Sequence, residues 1–355
     1  MPGSRTRMND RFGCVRREFI LLPGGWFCVI LSRLTLAEMS TFGNRTTARV
    51  VVIAGPTAVG KTAVAIELAS MVGGEIVSAD SMAVYKGMDI GTAKPTAEEQ
   101  ARVGFHLIDV ADPSRSFSVG EFQRLAQQAI DECIDRNPPA IVVGGSGLYV
   151  RAAIDGLDES MPEADAEFRQ KLNEQARTHG NEWVHAKLAE VDPKSAELIH
   201  PNNLKRVIRA LEIHQATGVP ASVAFELDSR RARRYPDARF FGLTMDRNEL
   251  YARIDKRVDA MIDAGLTEEV SRLLAGGVDE TLTSLQGLGY KEIASYLRGE
   301  LGLEEAVDLI RKNTRRFAKR QYTWFKADPR IEWIDVDGLT ANEVSKKIKE
   351  SLSNE

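Results

Sequence analysis

The chain has 355 residues, is 43% hydrophobic and 28% charged, and carries a formal net charge of −4. That length allows one large core, or a core with an inserted module, and the acidic balance excludes a uniformly basic nucleic-acid binder; any such surface must come from local clusters of Lys and Arg. Cys14, Cys28 and Cys133 lie too far apart for a zinc site or a disulfide framework, so a reducing, cytoplasmic setting is expected.

Residues 1–48 are Arg-rich and acid-poor, with Arg5, Arg7, Arg11, Arg16 and Arg17 ahead of an apolar run from Phe19 to Leu31. That run is too short to span a bilayer and is broken by Pro23-Gly24-Gly25, so no membrane association is expected. The stretch reads as an unstructured extension or an early start, with Met39 as the other start. A targeting peptide is the alternative.

Val50 to Ala54 is a short apolar run that reads as a buried parallel strand. It runs into Gly55-Pro56-Thr57-Ala58-Val59-Gly60-Lys61-Thr62, a full match to G-x-x-x-x-G-K-[ST]. Glycines let the backbone curl so that several N–H groups converge on phosphate oxygens. The following helix adds its positive N-terminal end. Lys61 supplies a charge, and Thr62 supplies a hydroxyl for Mg2+. The helix is predicted from Thr62 to Val72, closed by Gly73-Gly74.

Further strands are predicted at Glu75 to Ala79, Phe105 to Val110, Ala140 to Val143 and Arg239 to Thr244, with a helix at Val119 to Asp135. Alternating strands and helices imply a parallel sheet covered on both faces. An ordinary kinase or NTPase of this class needs a carboxylate for its metal at another strand end. The best strand ends instead in Gly144-Gly145-Ser146-Gly147, leaving Asp109 as a substitute.

From Leu157 to Pro201 the strand pattern stops, and two polar helices are predicted at Pro162 to His179 and Asn181 to Glu190. Longer helices follow at Asn203 to Thr217, Leu250 to Leu274 and Leu303 to Phe325. In the last, Val307, Ile310, Phe317 and Trp324 form one apolar stripe. Arg311, Lys312, Arg315, Arg316, Lys319 and Arg320 occupy the other faces, which favours phosphate contact. The loop cluster Arg230, Arg231, Arg233 and Arg234 reads as solvated, and His179, His185 and His200 lack metal-ligand spacing.

The expected architecture is an α/β, P-loop NTPase-like core with a parallel sheet flanked by helices, plus a small all-helical insertion. The core occupies 49–156 and 202–340, the insertion 157–201, and a tail 341–355.

The run Asp80-Ser81-Met82-Ala83-Val84-Tyr85-Lys86-Gly87-Met88-Asp89-Ile90-Gly91-Thr92-Ala93-Lys94-Pro95 closely resembles the signature of the tRNA dimethylallyltransferases, or tRNA isopentenyltransferases. Six further blocks match in order: His106 to Val110, Val143 to Tyr149, Lys205 to Glu212, Arg253 to Arg257, Gly289 to Glu292 and Thr314 to Gln321. The resemblance runs from about Val50 to Trp333. Two positions depart from the common pattern: Ala83 stands where many members have Gln, and Ser146 where they have Thr. No Cys follows Cys133, so the chain looks like the bacterial form, which lacks a C-terminal zinc finger.

The resemblance implies transfer of a dimethylallyl group from its diphosphate to the exocyclic amine of adenosine 37, in the tRNA anticodon stem-loop, with Mg2+. It implies that Gly55 to Thr62 hold the diphosphate, joined by Arg257, and that Asp80 is the general base. Taken from the sequence alone, a helix N-cap is the commoner fate of such an Asp. The resemblance further implies tRNA contacts at Asp80, Ser81, Met82, Ala83, Ser146, Lys205, Arg206, Val207, Ile208, Arg209, Gln286, Gly287, Leu288, Gly289, Tyr290, Lys291, Lys319 and Arg320, with the insertion gripping the stem. A monomer is expected. The rivals are a P-loop small-molecule kinase, an isopentenyltransferase acting on free adenine nucleotides, and a non-catalytic RNA-binding protein.

Overall fold

The computed structural model describes residues 16–22, 25–31, 49–158, 161–229 and 232–353. The chain divides into two units, Met1–Arg45 and Thr46–Glu355. In the first, β1 (Arg16–Leu22) and β2 (Gly25–Leu31) pair antiparallel, against the expectation of an unstructured extension at those residues. The remaining residues of 1–48 lie outside the described ones, and so does the proposed start at Met39.

The second unit is built on six strands: β3 (Val50–Ala54), β4 (Glu75–Ser78), β5 (Phe105–His106), β6 (Ala140–Gly144), β7 (Arg239–Thr244) and β8 (Ile331–Asp335). Their order is β5-β4-β6-β3-β7-β8, and all pairs are parallel. β3 and β6 are buried along their whole length, which is why they are almost purely apolar. Two apolar clusters cover the sheet's faces. One holds Val52, Val142, Phe122 and Ile130; the other holds Val51, Ile141, Leu68 and Phe241.

Helices α1 (Lys61–Val72), α2 (Ala97–Arg102), α3 (Val119–Arg136) and α4 (Gly147–Ile154) link the first strands. The strand predicted over Phe105 to Val110 stops at His106, because Leu107 and Asp109 take positive φ (63° and 57°) and the chain cannot stay extended.

The helical module comprises α5 (Ala166–His179), α6 (Asn181–Val191), α7 (Pro193–Leu198), α8 (Leu204–Thr217) and α9 (Ala221–Ser229). It has its own core, which includes Leu172, Val184, Leu188, Val207, Ile208 and Ala221, so α8 packs with the module past Pro201.

The helix predicted over Leu250 to Leu274 is two: α10 (Arg247–Asp263) and α11 (Leu266–Ala275), broken at Gly265 with φ 95°. After α12 (Tyr290–Leu297), the long α13 (Leu303–Lys326) matches its predicted span closely. The expected tail is helical: α14 (Ala341–Ser353) buries Val344, Ile348 and Leu352 in the same cluster as Leu68. Among the described residues no helix is long and apolar enough to cross a membrane.

Candidate active site

Parallel strands bring their C-terminal ends to one edge, and ligands of open α/β sheets sit there. The loop after β3, the segment after β4 and the turn after β6 leave from neighbouring strands. In the loop 55–62, Gly55, Ala58 and Gly60 have φ of 143°, 66° and 100°. A Cβ at Gly55 would lie 2.7 Å from the Leu243 carbonyl oxygen, so only glycine fits beside β7. Gly60 is the cap of α1, and Lys61 and Thr62 form its first turn.

Lys61 donates from Nζ to the Pro56 carbonyl oxygen at 2.7 Å. The residue keeps some surface, but its charged end is enclosed, and burial lowers its pKa from 10.5 to about 7. The Asp80 charge raises it and the Arg257 charge lowers it further. Arg257, on α10, is likewise held below its ordinary value by burial, with Asp80 opposing. Lys61, Asp80 and Arg257 therefore act on one another electrostatically across one site, although they are far apart in sequence.

Asp80 lies two residues past the end of β4. Its Oδ1 accepts the Met82 N–H at 2.8 Å and, more weakly, that of Ala83 at 3.4 Å. That is the local turn-capping role weighed from the sequence. Among the described residues, no protein hydrogen bond is made by Oδ2. Capping and chemistry are thus compatible, since each uses a different oxygen.

The turn after β6 packs tightly on this segment. A Cβ at Gly144 would lie 2.2 Å from the Ala79 carbonyl oxygen. Ser146 Oγ lies 3.1 Å from Ser81 Oγ and accepts the Ser81 N–H at 3.3 Å. Gly287 sits under Met82, where a Cβ would come within 2.4 Å of Cε. Ser81, Met82, Ser146 and Gly287 are therefore neighbours.

Other members of that set have no side-chain surface to offer. Ala83 and Tyr290 are buried, and Val207 and Ile208 fill the helical module's core, so direct RNA contact by these side chains is corrected. Arg209 is committed to the buried Glu212, which also accepts from Arg169 at 2.7 Å. Gln286, Lys291, Lys205, Arg206, Lys319 and Arg320 are exposed, Leu288 is half-buried, and Gly289 is buried. On α13, Arg311 pairs with Asp259 and Arg315 with Asp255 at 3.0 Å, so acids from α10 neutralise two of the six cations. Trp324 is 43% exposed, so the apolar stripe ends at the surface. Arg230 and Arg231 lie outside the described residues, whereas Arg234 pairs with Asp131 at 2.6 Å.

Asp109 is not a spare metal carboxylate: it and Asp89 each receive Lys94 Nζ at 2.6 Å. At the opposite end of the sheet, Glu75, His106 and Cys133 cluster, with His106 Nε2 2.6 Å from Glu75 Oε2. Arg136 takes both Glu75 oxygens at 2.7 and 2.9 Å, and burial pushes the Cys133 thiol up to about 11. This is an ion-pair knot fastening α3 to β4, not an open ligand set.

Two polar residues that organise the site were missed from sequence. Glu269 on α11 accepts the N–H groups of Asp89, Ile90 and Gly91 at 2.9, 2.9 and 3.1 Å. Gln321 on α13 receives the Thr57 N–H and donates to the Gly145 carbonyl, each at 2.9 Å. Both lie on buried helix faces: Gln321 follows Phe317 by four and precedes Trp324 by three. A polar residue in an apolar stripe was the available signal.

The IPP transferase family model matches residues 83–328. The tRNA dimethylallyltransferase of Acetivibrio thermocellus is 49% identical, with 86% of this chain and 97% of the relative covered. That of Symbiobacterium thermophilum is 50% identical over 82% and 90%. Among solved structures, the full-length tRNA isopentenylpyrophosphate transferase of Bacillus halodurans superposes with a TM-score of 0.63 at 44% identity, covering 86% of this chain and 97% of its own. A eukaryotic dimethylallyltransferase acting on tRNA gives 0.71 at 28% identity, covering 87% and 80%. The α/β core is thus of the P-loop NTPase-like kind.

Proposed function

Because the chain belongs to the IPP transferase family, the tRNA dimethylallyltransferases, we propose that it transfers a dimethylallyl group from dimethylallyl diphosphate to tRNA. Neither the small-molecule kinase nor the free-nucleotide alternative finds support among the relatives. The acceptor is the exocyclic amine of adenosine 37 in the anticodon stem-loop. The enzyme works as a monomer in the cytoplasm.

In the reaction the bond from the allylic carbon to a diphosphate oxygen breaks and a bond from that carbon to nitrogen forms. The amine proton leaves to a base. Lys61, Arg257 and the loop Gly55 to Thr62 hold the leaving diphosphate, the loop through backbone N–H groups other than those of Pro56, which has none, and Thr57, which is bonded to Gln321; each donor in a dry site contributes on the order of a few kcal/mol. Asp80, through Oδ2, takes the amine proton. Asp80 interacts electrostatically with both Lys61 and Arg257, so the base and the groups that hold the leaving diphosphate belong to one site.

The target base must leave the anticodon stack to reach this pocket. The Gly144 to Gly147 turn lets the backbone approach the amine and allylic carbon closely, and Ser81, Met82, Ser146 and Gly287 surround the entering base. Exposed Lys319 and Arg320 meet RNA phosphates.

A hard divalent cation such as Mg2+ fits the donors present. Thr62 offers a hydroxyl oxygen; such an ion keeps several water and phosphate ligands. Bound there, it would neutralise charge on the leaving diphosphate.

The observation that carries this reading is that Asp80, just past β4, interacts electrostatically with both Lys61, in the loop after β3, and Arg257, on α10. Dimethylallyl diphosphate and Mg2+ with either an unmodified anticodon stem-loop or AMP test it. Prenylation of the hairpin and not of AMP is expected; prenylation of AMP alone, or phosphoryl transfer from ATP, would overturn it.

A further inference from the structure

Gln321 is 6% exposed and lies in the interior of α13, yet its amide touches two different loops of the site. Oε1 accepts from Thr57, in the loop after β3; Nε2 donates to Gly145, in the turn after β6. These bonds reach across 264 and 176 residues of sequence. The geometry is directional. The amide accepts through Oε1 on one side and donates through Nε2 on the other.

The surroundings are built around that amide. A Cβ at Gly145 would lie 2.3 Å from Nε2, so the residue at 145 must lack one for the amide to stay. One turn on, Trp324 lies over Gly147, where a Cβ would meet its ring at 2.1 Å. The face of α13 carrying Gln321 and Trp324 therefore seats on the Gly-rich turn. Lys319 and Arg320, immediately before Gln321, are exposed.

We propose that Gln321 is a positioning residue: it fixes the distance between the loop that holds the donor diphosphate and the turn that holds the acceptor amine, and ties both to the RNA-facing helix. This rests on the prenyl-transfer reading above. In that reading the two loops carry the two reactants, so a small change in their spacing moves the allylic carbon relative to the amine. Thr57 N–H is also fixed by the amide, so the loop keeps one curvature before and after the donor enters. Without the amide, the Thr57 N–H and the Gly145 carbonyl would each seek another partner and the loops would drift apart.

The test uses the full chain with Gln321→Met, which keeps side-chain length and removes both hydrogen bonds, and Gln321→Glu, which keeps the acceptor and loses the donor. The readout is the single-turnover rate constant at saturating dimethylallyl diphosphate and hairpin RNA. It does not depend on the fraction of protein that folds; a purely structural defect lowers the amplitude instead. The Met variant is expected to be slowed about 10- to 100-fold, as misplacement of reactants by about 1 Å would do. The Glu variant is slowed too, and hairpin affinity stays within about twofold of wild type. A rate constant within about threefold of wild type in either variant overturns the proposal. Where the Met variant yields no folded protein, the Glu variant decides by the same criterion. Wild-type protein that leaves the hairpin unmodified would instead remove the prenyl-transfer reading itself, and this inference with it.

Discussion

The ammonium of Lys61 donates to the carbonyl oxygen of Pro56 at 2.7 Å, so the lysine closes a ring on its own loop. With its pKa lowered to about 7, the group is largely neutral above that pH. A diphosphate beside it favours the charged form and raises the pKa again. Binding of inorganic pyrophosphate above pH 7 should therefore take up a proton at Lys61, and below pH 7 should not. Titration calorimetry in buffers of different ionisation enthalpy measures this, with Lys61→Met as the reference for protons taken up by pyrophosphate itself. Equal uptake by both proteins at pH 8 would contradict it. The same shift acts on folding with a definite sign. Below pH 7 folded and unfolded chains both carry the charge, and the burial penalty is full. Between 7 and 10.5 the folded chain releases the proton first, so this group's destabilisation fades as pH rises.

Glu269 is 1% exposed and, besides three backbone N–H groups, accepts the Tyr290 hydroxyl at 2.7 Å. It joins the 89–91 loop to the start of α12. Glu269→Ala should destabilise the protein by at least about 3 kcal/mol, because it leaves several buried donors without partners. Tyr290→Phe removes one bond and should cost about 1 kcal/mol, or somewhat more because its partner is charged. Denaturant unfolding of both single variants and the double variant gives the coupling. Additive losses would show that the two side chains do not act as a unit.

The cations of α13 divide into two groups. Lys319→Ala and Arg320→Ala should each weaken hairpin binding and make its log–log salt dependence shallower by roughly 0.7 to 1. Arg311→Ala and Arg315→Ala should lower stability and leave the salt slope unchanged, since their charges are spent on Asp259 and Asp255. The wild-type slope should be steeper than about −2, and affinity insensitive to salt would contradict this surface.

Local patterns made part of this molecule legible. The loop 55–62, Asp80 and the turn 144–147 are contiguous stretches whose spacing carries their chemistry, and each lies at a strand end. What was hidden depends on contacts distant in sequence. Glu269 and Gln321 are ordinary helix residues until the fold sets backbone groups 180 and 264 positions away against them. Val207 and Ile208 fell in a block that resembles a tRNA-contacting one, yet their spacing beside Leu211 already marked a buried face. β8 is a short edge strand without strict alternation, and α14 gave a readable signal in Val344, Ile348 and Leu352, spaced by four.

The central claim is that the Asp80 carboxylate takes the proton from the acceptor amine while its other oxygen only holds the turn. Asp80→Asn keeps an acceptor for the Met82 N–H and removes the base, so the single-turnover rate should fall by about 10²- to 10⁴-fold while hairpin affinity is retained. Mass spectrometry of the hairpin after incubation with dimethylallyl diphosphate reads the outcome directly. The account predicts an added dimethylallyl group with wild type and almost none over the same time with Asp80→Asn; equal modification by the two proteins would contradict it.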